Sequence, residues 1–209
     1  NLPFAATEAW QPLPTADWNA AAARHLLRRA GWSAVPAEVA RATTDGLAAT
    51  LDRLFPAAPI AFPEPRLVAN LRAATPEIAR TLTSAAEGAE KQRRQREARE
   101  RTQLATLDMS IKWLQFAAQP ANMGFAKWVL FLSDVYVVGV GTVKNTALIW
   151  EHFDILSRHA LGAAPALAKA VSRSPAMVAY LDLNQSRRGA PNENFARELF
   201  ELFLLGEGN

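Results

Sequence analysis

The chain has 209 residues, 50% of them apolar, a formal net charge of +3, three histidines and no cysteine. This length and apolar content suffice for one globular domain with its own core. The lack of cysteine excludes disulfide bonds, thiolate metal sites and cysteine nucleophiles, and three histidines without metal-type spacing do not by themselves form a zinc site.

The longest apolar stretch, residues 128–141, is interrupted by Ser133 and Asp134. A membrane-spanning helix needs about 20 apolar residues, so this stretch predicts a buried helix and no transmembrane segment. The mild positive charge does not indicate nucleic acid as a partner. The first residues, NLPFAATEAW, lack the basic start and apolar centre of an export leader. We therefore expect either a cytoplasmic protein or one whose leader has been removed.

The N-terminal region predicts three short helices. Asp17 is a suitable N-cap for a helix over 18–30, which Gly31 would end in a left-handed conformation. Pro36 opens the second helix, and the Asp45-Gly46 pair turns the chain into a third helix that ends at Phe55. Residues 56–65 contain four prolines and predict an extended connector, the best internal boundary of the chain.

A long charged helix is predicted next, over residues 76–118, because Gly88 is the only helix breaker between Pro76 and Pro120. A helical hairpin that bends near Gly88 is the alternative. Residues 87–101 carry six basic and four acidic side chains, with acid-first pairs four residues apart at Glu90 and Glu97. This pattern predicts a solvated helix face.

Further helices follow to the end of the chain. Asn122 predicts a cap for a helix that reaches Val138, and Thr142 predicts the cap of the next, which ends near Gly162. Ser174 and Pro175 open a shorter helix. Strand signals are scarce. The fold class is therefore all-α: a multi-helix single domain over residues 1–209, or the N-terminal part of a larger one.

Residues 175–209 carry the clearest functional signals. Phe195, Leu199, Leu202 and Phe203 recur at helical spacing and predict a stripe that faces the core. Polar residues line the adjacent face of that helix: Asn194, Glu198 and Glu201. Two like charges this close repel each other, so we expect at least one of the glutamates to be anchored by an arginine such as Arg197.

The loop before this helix has half the pattern of a calcium loop. With Asp182 at position one, oxygen-bearing residues occupy positions three, five and twelve: Asn184, Ser186 and Glu193. Arg187 stands where such a loop needs glycine, and its charge opposes a cation. We predict no metal, and instead that Asn192 or Asn194 caps the last helix.

Four motifs in the second half of the chain resemble one bacterial family, known as domain of unknown function 1800. They are RHALG at 158–162, SRSPAMVAYLD at 172–182, GAPNENFAREL at 189–199 and ELFLLGEGN at 201–209. The resemblance supplies no reaction. It implies a longer product, of which this chain is the N-terminal part, and an exported protein with its leader removed. The expected location is thus periplasmic or secreted.

The chain departs from the family where relatives carry a Trp-His-x-His-Phe run. Residues 132–136 read Leu-Ser-Asp-Val-Tyr, so both family histidines are missing. Asp134 lies within the apolar stretch, where a bare carboxylate would be costly. We expect it to be buried against Lys127, Lys144 or Arg158, as a structural ion pair or as a catalytic acid. We expect His152 and His159 to pack or to cap a helix end.

Two hypotheses of function follow. The first is a non-catalytic binding or scaffold subunit of the cell envelope or secreted fraction, without a cofactor, whose partner is another protein or the missing C-terminal part of the same product. The second is a hydrolase that acts on an extracellular polymer through helix-borne carboxylates. The candidate catalytic residues are Asp182, Glu198, Glu201 and Asp134. The candidate binding residues are Asn184, Asn192, Glu193, Asn194 and Arg197.

Overall fold

The structure, a computed structural model, describes residues 11–84 and 88–201. Within these ranges the chain forms ten α-helices and no strand, which confirms the all-α prediction. The helices are α1 (Ala20–Ala30), α2 (Pro36–Leu54), α3 (Arg66–Ser84), α4 (Ala89–Ala117), α5 (Met123–Val135), α6 (Val140–Val143), α7 (Thr146–His159), α8 (Ala164–Ser172), α9 (Pro175–Tyr180) and α10 (Glu193–Phe200).

The start of α1 differs from the prediction. Asn19 is the N-cap and accepts from two backbone N–H groups, whereas Asp17 ends a short 3-10 helix. Gly31 has φ −116°, an extended conformation and not a left-handed one. It is glycine because a Cβ there would lie 2.7 Å from the sulfur of Met123. Close packing of α1 on α5 therefore explains this residue.

The predicted turn at Gly46 is present as a kink within α2. Gly46 has φ 87°, which favours glycine, and the helical segments on its two sides fold back on each other. The buried hydroxyl of Thr50 donates to the Gly46 carbonyl at 2.7 Å and so holds the kink. The interior of this end of the molecule is apolar: Ala23, Leu27, Val39, Ala42, Leu54 and Met123.

The charged region forms a hairpin of α3 and α4, which decides between the two predicted alternatives. The predicted start near Thr75 is wrong, since α3 begins at Arg66 and includes Pro76 in its interior. Asp108 of α4 accepts from the Leu67 N–H at 3.0 Å and so caps the first turn of α3. Glu90 pairs with Arg94 as predicted, while Glu97 pairs with Arg93.

Residues 56–65 contain no helix, and they pack against the helices that follow. Phe62 is buried, and its ring lies 5.4 Å from the ring of Trp113 and 6.4 Å from that of Phe153. This aromatic cluster attaches the segment to α4 and α7, and contributes about 0.5–1.5 kcal/mol per ring pair beyond area burial.

The main core lies between α5, α7, α8 and α9. Its buried members are Phe125, Val129, Leu132, Tyr136, Leu156, Ala160, Leu167, Val171, Met177 and Leu181. Helix α5 also packs on α1, α2 and α4, so it joins the core clusters into one domain. None of the helices in the described ranges is long and apolar enough to cross a membrane.

Two helix boundaries near α5, and the capping at its start, also differ from the prediction. Helix α5 ends at Val135 instead of Val138, and the Asn122 side chain donates to the Phe116 carbonyl without capping α5. Asn145, and not Thr142, caps α7 by accepting from the Ala147 N–H at 3.0 Å. The residue before it, Lys144, is left-handed with φ 55° and sets the angle between α6 and α7.

Tryptophans join separate segments of the chain at three junctions. The indole N–H groups of Trp18, Trp32 and Trp128 donate to the carbonyls of Ala42, Ala117 and Ala160 at 3.0, 2.9 and 2.6 Å. Each bond satisfies a partly buried indole N–H and ties two distant segments together. These tryptophans are therefore structural.

Candidate functional site

The loop before α10 contains polar residues that the sequence predicts to form a site. Local hydrogen bonds hold these residues in position. Asp182 is exposed, and its carboxylate accepts from the Gln185 side chain at 2.7 Å. Asn184 is also exposed. Asn192 accepts from the Phe195 N–H at 3.1 Å and donates to the Leu181 carbonyl at 2.9 Å. Asn192 therefore caps α10, as one of the two predicted alternatives, and ties α10 to the end of α9.

The calcium-like pattern of this loop is held together by its own hydrogen bonds. The Ser186 hydroxyl accepts from the Asn192 N–H at 3.1 Å, and Glu193 is exposed at the start of α10. Among the described residues, no three His, Asp or Glu side chains come together closely enough to hold a metal ion.

Helix α10 presents its predicted faces. Phe195 and Leu199 pack against the main core, while Leu202 and Phe203 lie outside the described residues. Arg197 donates to Asn194 at 2.8 Å and to the Glu198 carboxylate at 3.0 Å, so the predicted arginine anchor of one glutamate is present. The Glu198 side chain keeps 21% of its surface exposed.

Asp134 is not buried, so the prediction for this residue is wrong. It is exposed and forms no ion pair with Lys127, Lys144 or Arg158. Helix α5 packs on several neighbouring helices, but the side that carries Asp134 near its end faces solvent. Its outer side carries Phe131, which is 53% exposed. An apolar sequence predicted burial all around the helix, but part of that apolar surface faces solvent.

The two positions of the missing family histidines lie on different sides of α5. Ser133 donates to the Leu130 carbonyl of its own helix at 2.7 Å. Val135 packs against the main core. Because the two side chains diverge, histidines at both positions would not bind one ion on this backbone.

His152 is buried and connects three helices. Its Nε2 lies 2.8 Å from the Tyr136 carbonyl oxygen at the end of α5, and its Nδ1 lies 3.0 Å from the Ser174 hydroxyl at the start of α9. Desolvation by burial lowers the pKa of His152, and the bond to Tyr136 opposes this shift. Ser174 uses its hydroxyl here and so does not cap α9. His152 and Ser174 are both solvent-inaccessible and thus structural.

A groove of about 510 Å³ lies between the α3–α4 hairpin and the α6–α7 junction. Its apolar side chains are Leu71, Ile78, Leu82, Ala98 and Val140. Its polar side chains are Thr75, Gln95, Arg99, Thr102, Gln103, Lys144 and Asn145. The volume falls within the roughly 300–1,000 Å³ typical of small-molecule sites.

Threonine and asparagine side chains hold one wall of the groove. The Thr146 hydroxyl donates to the Thr102 carbonyl at 3.0 Å and lies 2.6 Å from the Thr106 hydroxyl. Asn145 donates to the Thr75 hydroxyl at 3.4 Å. These bonds fix the start of α7 against both helices of the hairpin, so the groove is formed before any ligand binds.

The described lining of the groove is positively charged. Among the described residues, Arg99 and Lys144 are its only charged lining residues; both are exposed, and neither forms an ion pair with another described residue. None of the described carboxylates lines the groove. A shallow site with apolar side chains and two available cations suits an apolar molecule that carries an anionic group.

The fold and the groove thus define an all-α protein with a preformed cationic groove beside a helical hairpin. The chain belongs to the family described as Protein of unknown function (DUF1800), whose family model matches residues 25–209. Comparisons with curated proteins and with solved structures found no match.

The groove was missed by sequence analysis because its lining comes from three separate segments, residues 71–82, 95–103 and 140–145. The charge run of α4 predicts a solvated face, which holds for Arg93, whereas Arg94 donates across the hairpin to the Thr81 carbonyl at 3.2 Å. The available signal was the apolar spacing of Leu71, Ile78 and Leu82, which continues α3 past Pro76 and faces the partner helix.

Proposed function

We propose that the protein is a non-catalytic binding protein that takes an elongated apolar molecule with an anionic end into this groove. The observation that supports the proposal most directly is the lining itself: apolar side chains together with Arg99 and Lys144, and no carboxylate among the described lining residues. The apolar part would contribute about 0.8 kcal/mol for each buried methylene. The two cations would orient the anionic end.

The proposal includes export to the cell envelope or secreted fraction, which the resemblance alone supports. Immunodetection in periplasmic and culture-supernatant fractions tests it, and a protein found only in the cytosol would contradict it. The hydrolase hypothesis has weaker support, because Arg197 already engages Glu198, and Gln185 already engages Asp182.

Calorimetric titration with decanoate tests binding, with decylammonium as the ligand of equal chain length and opposite charge. We expect saturable one-to-one binding of decanoate and at least tenfold weaker binding of decylammonium, a difference of about 1.4 kcal/mol. Absent saturation, or equal affinity for the two molecules, would contradict the proposal.

Variants locate the binding site. Arg99→Gln and Lys144→Asn should each weaken decanoate binding several-fold, and asparagine tolerates the left-handed backbone at 144. Val140→Trp should block the groove, since Val140 is a lining residue and 40% exposed. Lys169→Gln, at an exposed position on α8, is the matched control and should bind as the wild type does.

A further inference from the structure

Helix α4 carries an exposed apolar stripe that the hairpin does not use. Its four residues are Leu104, Leu107, Ile111 and Leu114, which are 57%, 57%, 45% and 65% exposed. Their spacing of three, four and three residues is the heptad spacing of a two-stranded coiled coil. The opposite side of the helix packs inward through Ala105, Met109 and Trp113.

We propose that this stripe pairs with the same stripe of a second copy of the chain, antiparallel and centred on residue 109. The stripe reads the same in both directions about that residue. Leu104 of one copy therefore meets Leu114 of the other, and Leu107 meets Ile111. Gln103 and Gln115 flank the stripe at equal distances from its centre, so polar side chains bound the apolar pairing at both ends.

Charge favours the antiparallel orientation. Toward the start of α4, the side that carries the stripe continues with Glu100 and Arg93. In a parallel pair, Glu100 would face Glu100 of the second copy and Arg93 would face Arg93. Repulsion between these like charges opposes that orientation. In the antiparallel pair, Glu100 instead lies beside Ala118 of the second copy.

One cation, Lys127, lies near Ala118, where its ammonium donates to the carbonyls of Arg28 and Gly31. Trp32 donates to the Ala117 carbonyl at 2.9 Å, and the Lys127 ammonium lies 6.0 Å from the Trp32 ring centre. Glu100 of one copy thus approaches a cation of the other, which adds electrostatic complementarity to the apolar pairing.

The stripe spans eleven residues, or about 15 Å of helix. Pairing along so short a helix buries less area than the roughly 800 Å² per partner of a standard interface, so a dimer with a dissociation constant in the micromolar range is expected. Isolated exposed leucines are common on proteins, but a contiguous row at heptad spacing is characteristic of an interface.

Sedimentation of the 209-residue chain at about 2 to 200 µM tests the pairing, over the range in which a micromolar dimer dissociates. We expect a concentration-dependent monomer–dimer equilibrium. Leu107→Glu and Ile111→Lys should each raise the dissociation constant at least tenfold. Gln92→Glu, exposed on α4 outside the paired region, should leave it unchanged. Circular dichroism checks that each variant remains folded.

Mixing variants tests the orientation. Leu107→Glu mixed with Ile111→Lys should restore the dimer, since those positions face each other only in the antiparallel pair. Leu107→Glu mixed with Leu107→Lys should not, because those positions face each other only in a parallel pair. A chain that stays monomeric at every concentration, a dimer insensitive to Leu107→Glu, or rescue by the second mixture instead of the first would overturn the proposal.

Discussion

The ring of His152 donates from Nε2 to the carbonyl oxygen of Tyr136 at 2.8 Å. A carbonyl can only accept, so Nε2 carries a hydrogen, and the neutral ring accepts from the Ser174 hydroxyl at Nδ1. Burial lowers the pKa of His152 and favours this neutral form. The end of α5, the middle of α7 and the start of α9 are thereby joined at one buried point.

Stability should depend on pH through this ring. In the unfolded chain a histidine has a pKa of about 6.5, whereas burial lowers the pKa of His152 in the folded chain. The unfolded state therefore binds a proton that the folded state does not. The stabilisation that the neutral His152 ring provides is fully present above about pH 6.5. Below this pH, the free energy of unfolding decreases by up to about 1.4 kcal/mol per pH unit.

Urea denaturation between pH 8 and 5 measures this effect. His152→Gln should be less stable than the wild type at pH 8, and the difference should narrow as the pH falls. His25→Gln, at an exposed position on α1, is the control and should retain the wild-type dependence. A constant difference between His152→Gln and the wild type across this range would show that the ring does not act in this way.

Ser174→Ala should destabilise the fold by about 1–3 kcal/mol, because it removes the donor to a buried ring nitrogen. Ser133→Ala is the matched control, since that hydroxyl bonds only to the carbonyl of Leu130 in its own helix and is partly exposed. Its effect should stay within about 0.5 kcal/mol. Thermal and urea denaturation at pH 8 measure the stability of both variants. Equal losses of stability would show that the Ser174 hydrogen bond contributes no more than the Ser133 hydrogen bond does.

Gly124 allows α5 to approach the end of α2. A Cβ at this position would lie 2.5 Å from the Leu54 carbonyl oxygen and 2.8 Å from the Leu54 Cβ. Gly124→Ala should therefore cost about 1–3 kcal/mol. At Gly141, in α6, a Cβ meets nothing within 4 Å, so Gly141→Ala should be neutral or stabilising by up to about 1 kcal/mol. Denaturation measures the stability of both variants. Wild-type stability in both would contradict the close contact between Gly124 and Leu54.

Asp134→Ala should change the free energy of unfolding by no more than about 0.5 kcal/mol, because the carboxylate is exposed and unpaired within the described ranges. Asp134→Asn removes the charge but keeps the shape of the side chain, and its free energy of unfolding should change equally little. A loss of about 3 kcal/mol or more on urea denaturation would instead support the buried ion pair that the sequence predicted.

Local signals predicted much of the helical fold. The kink at Gly46, the proline start of α9 and the Asn192 cap depend on residues close in sequence, so the chain itself reveals them. The start of α3 could not be found in this way. Its first turn is capped by Asp108, which comes from the other helix of the hairpin.

Long-range packing also explains why the candidate sites in the structure differ from those that the sequence predicts. Asp134 was predicted to be buried because periodicity cannot tell an apolar helix at the surface from one in the core. The groove depends on the hairpin meeting Lys144 and Asn145, residues far from it in sequence. Asn192, Asn194 and Glu198, by contrast, interact with near neighbours, as their spacing indicated.

Photolabelling with a diazirine-bearing analogue of decanoate, followed by peptide mapping, tests the proposed function most directly. Adducts are expected within residues 71–82, 95–103 and 140–145, and excess decanoate should suppress them. Arg99→Gln and Val140→Trp should reduce the labelling, whereas Lys169→Gln should not. Adducts concentrated in residues 182–201, or labelling that decanoate does not suppress, would contradict binding in the groove.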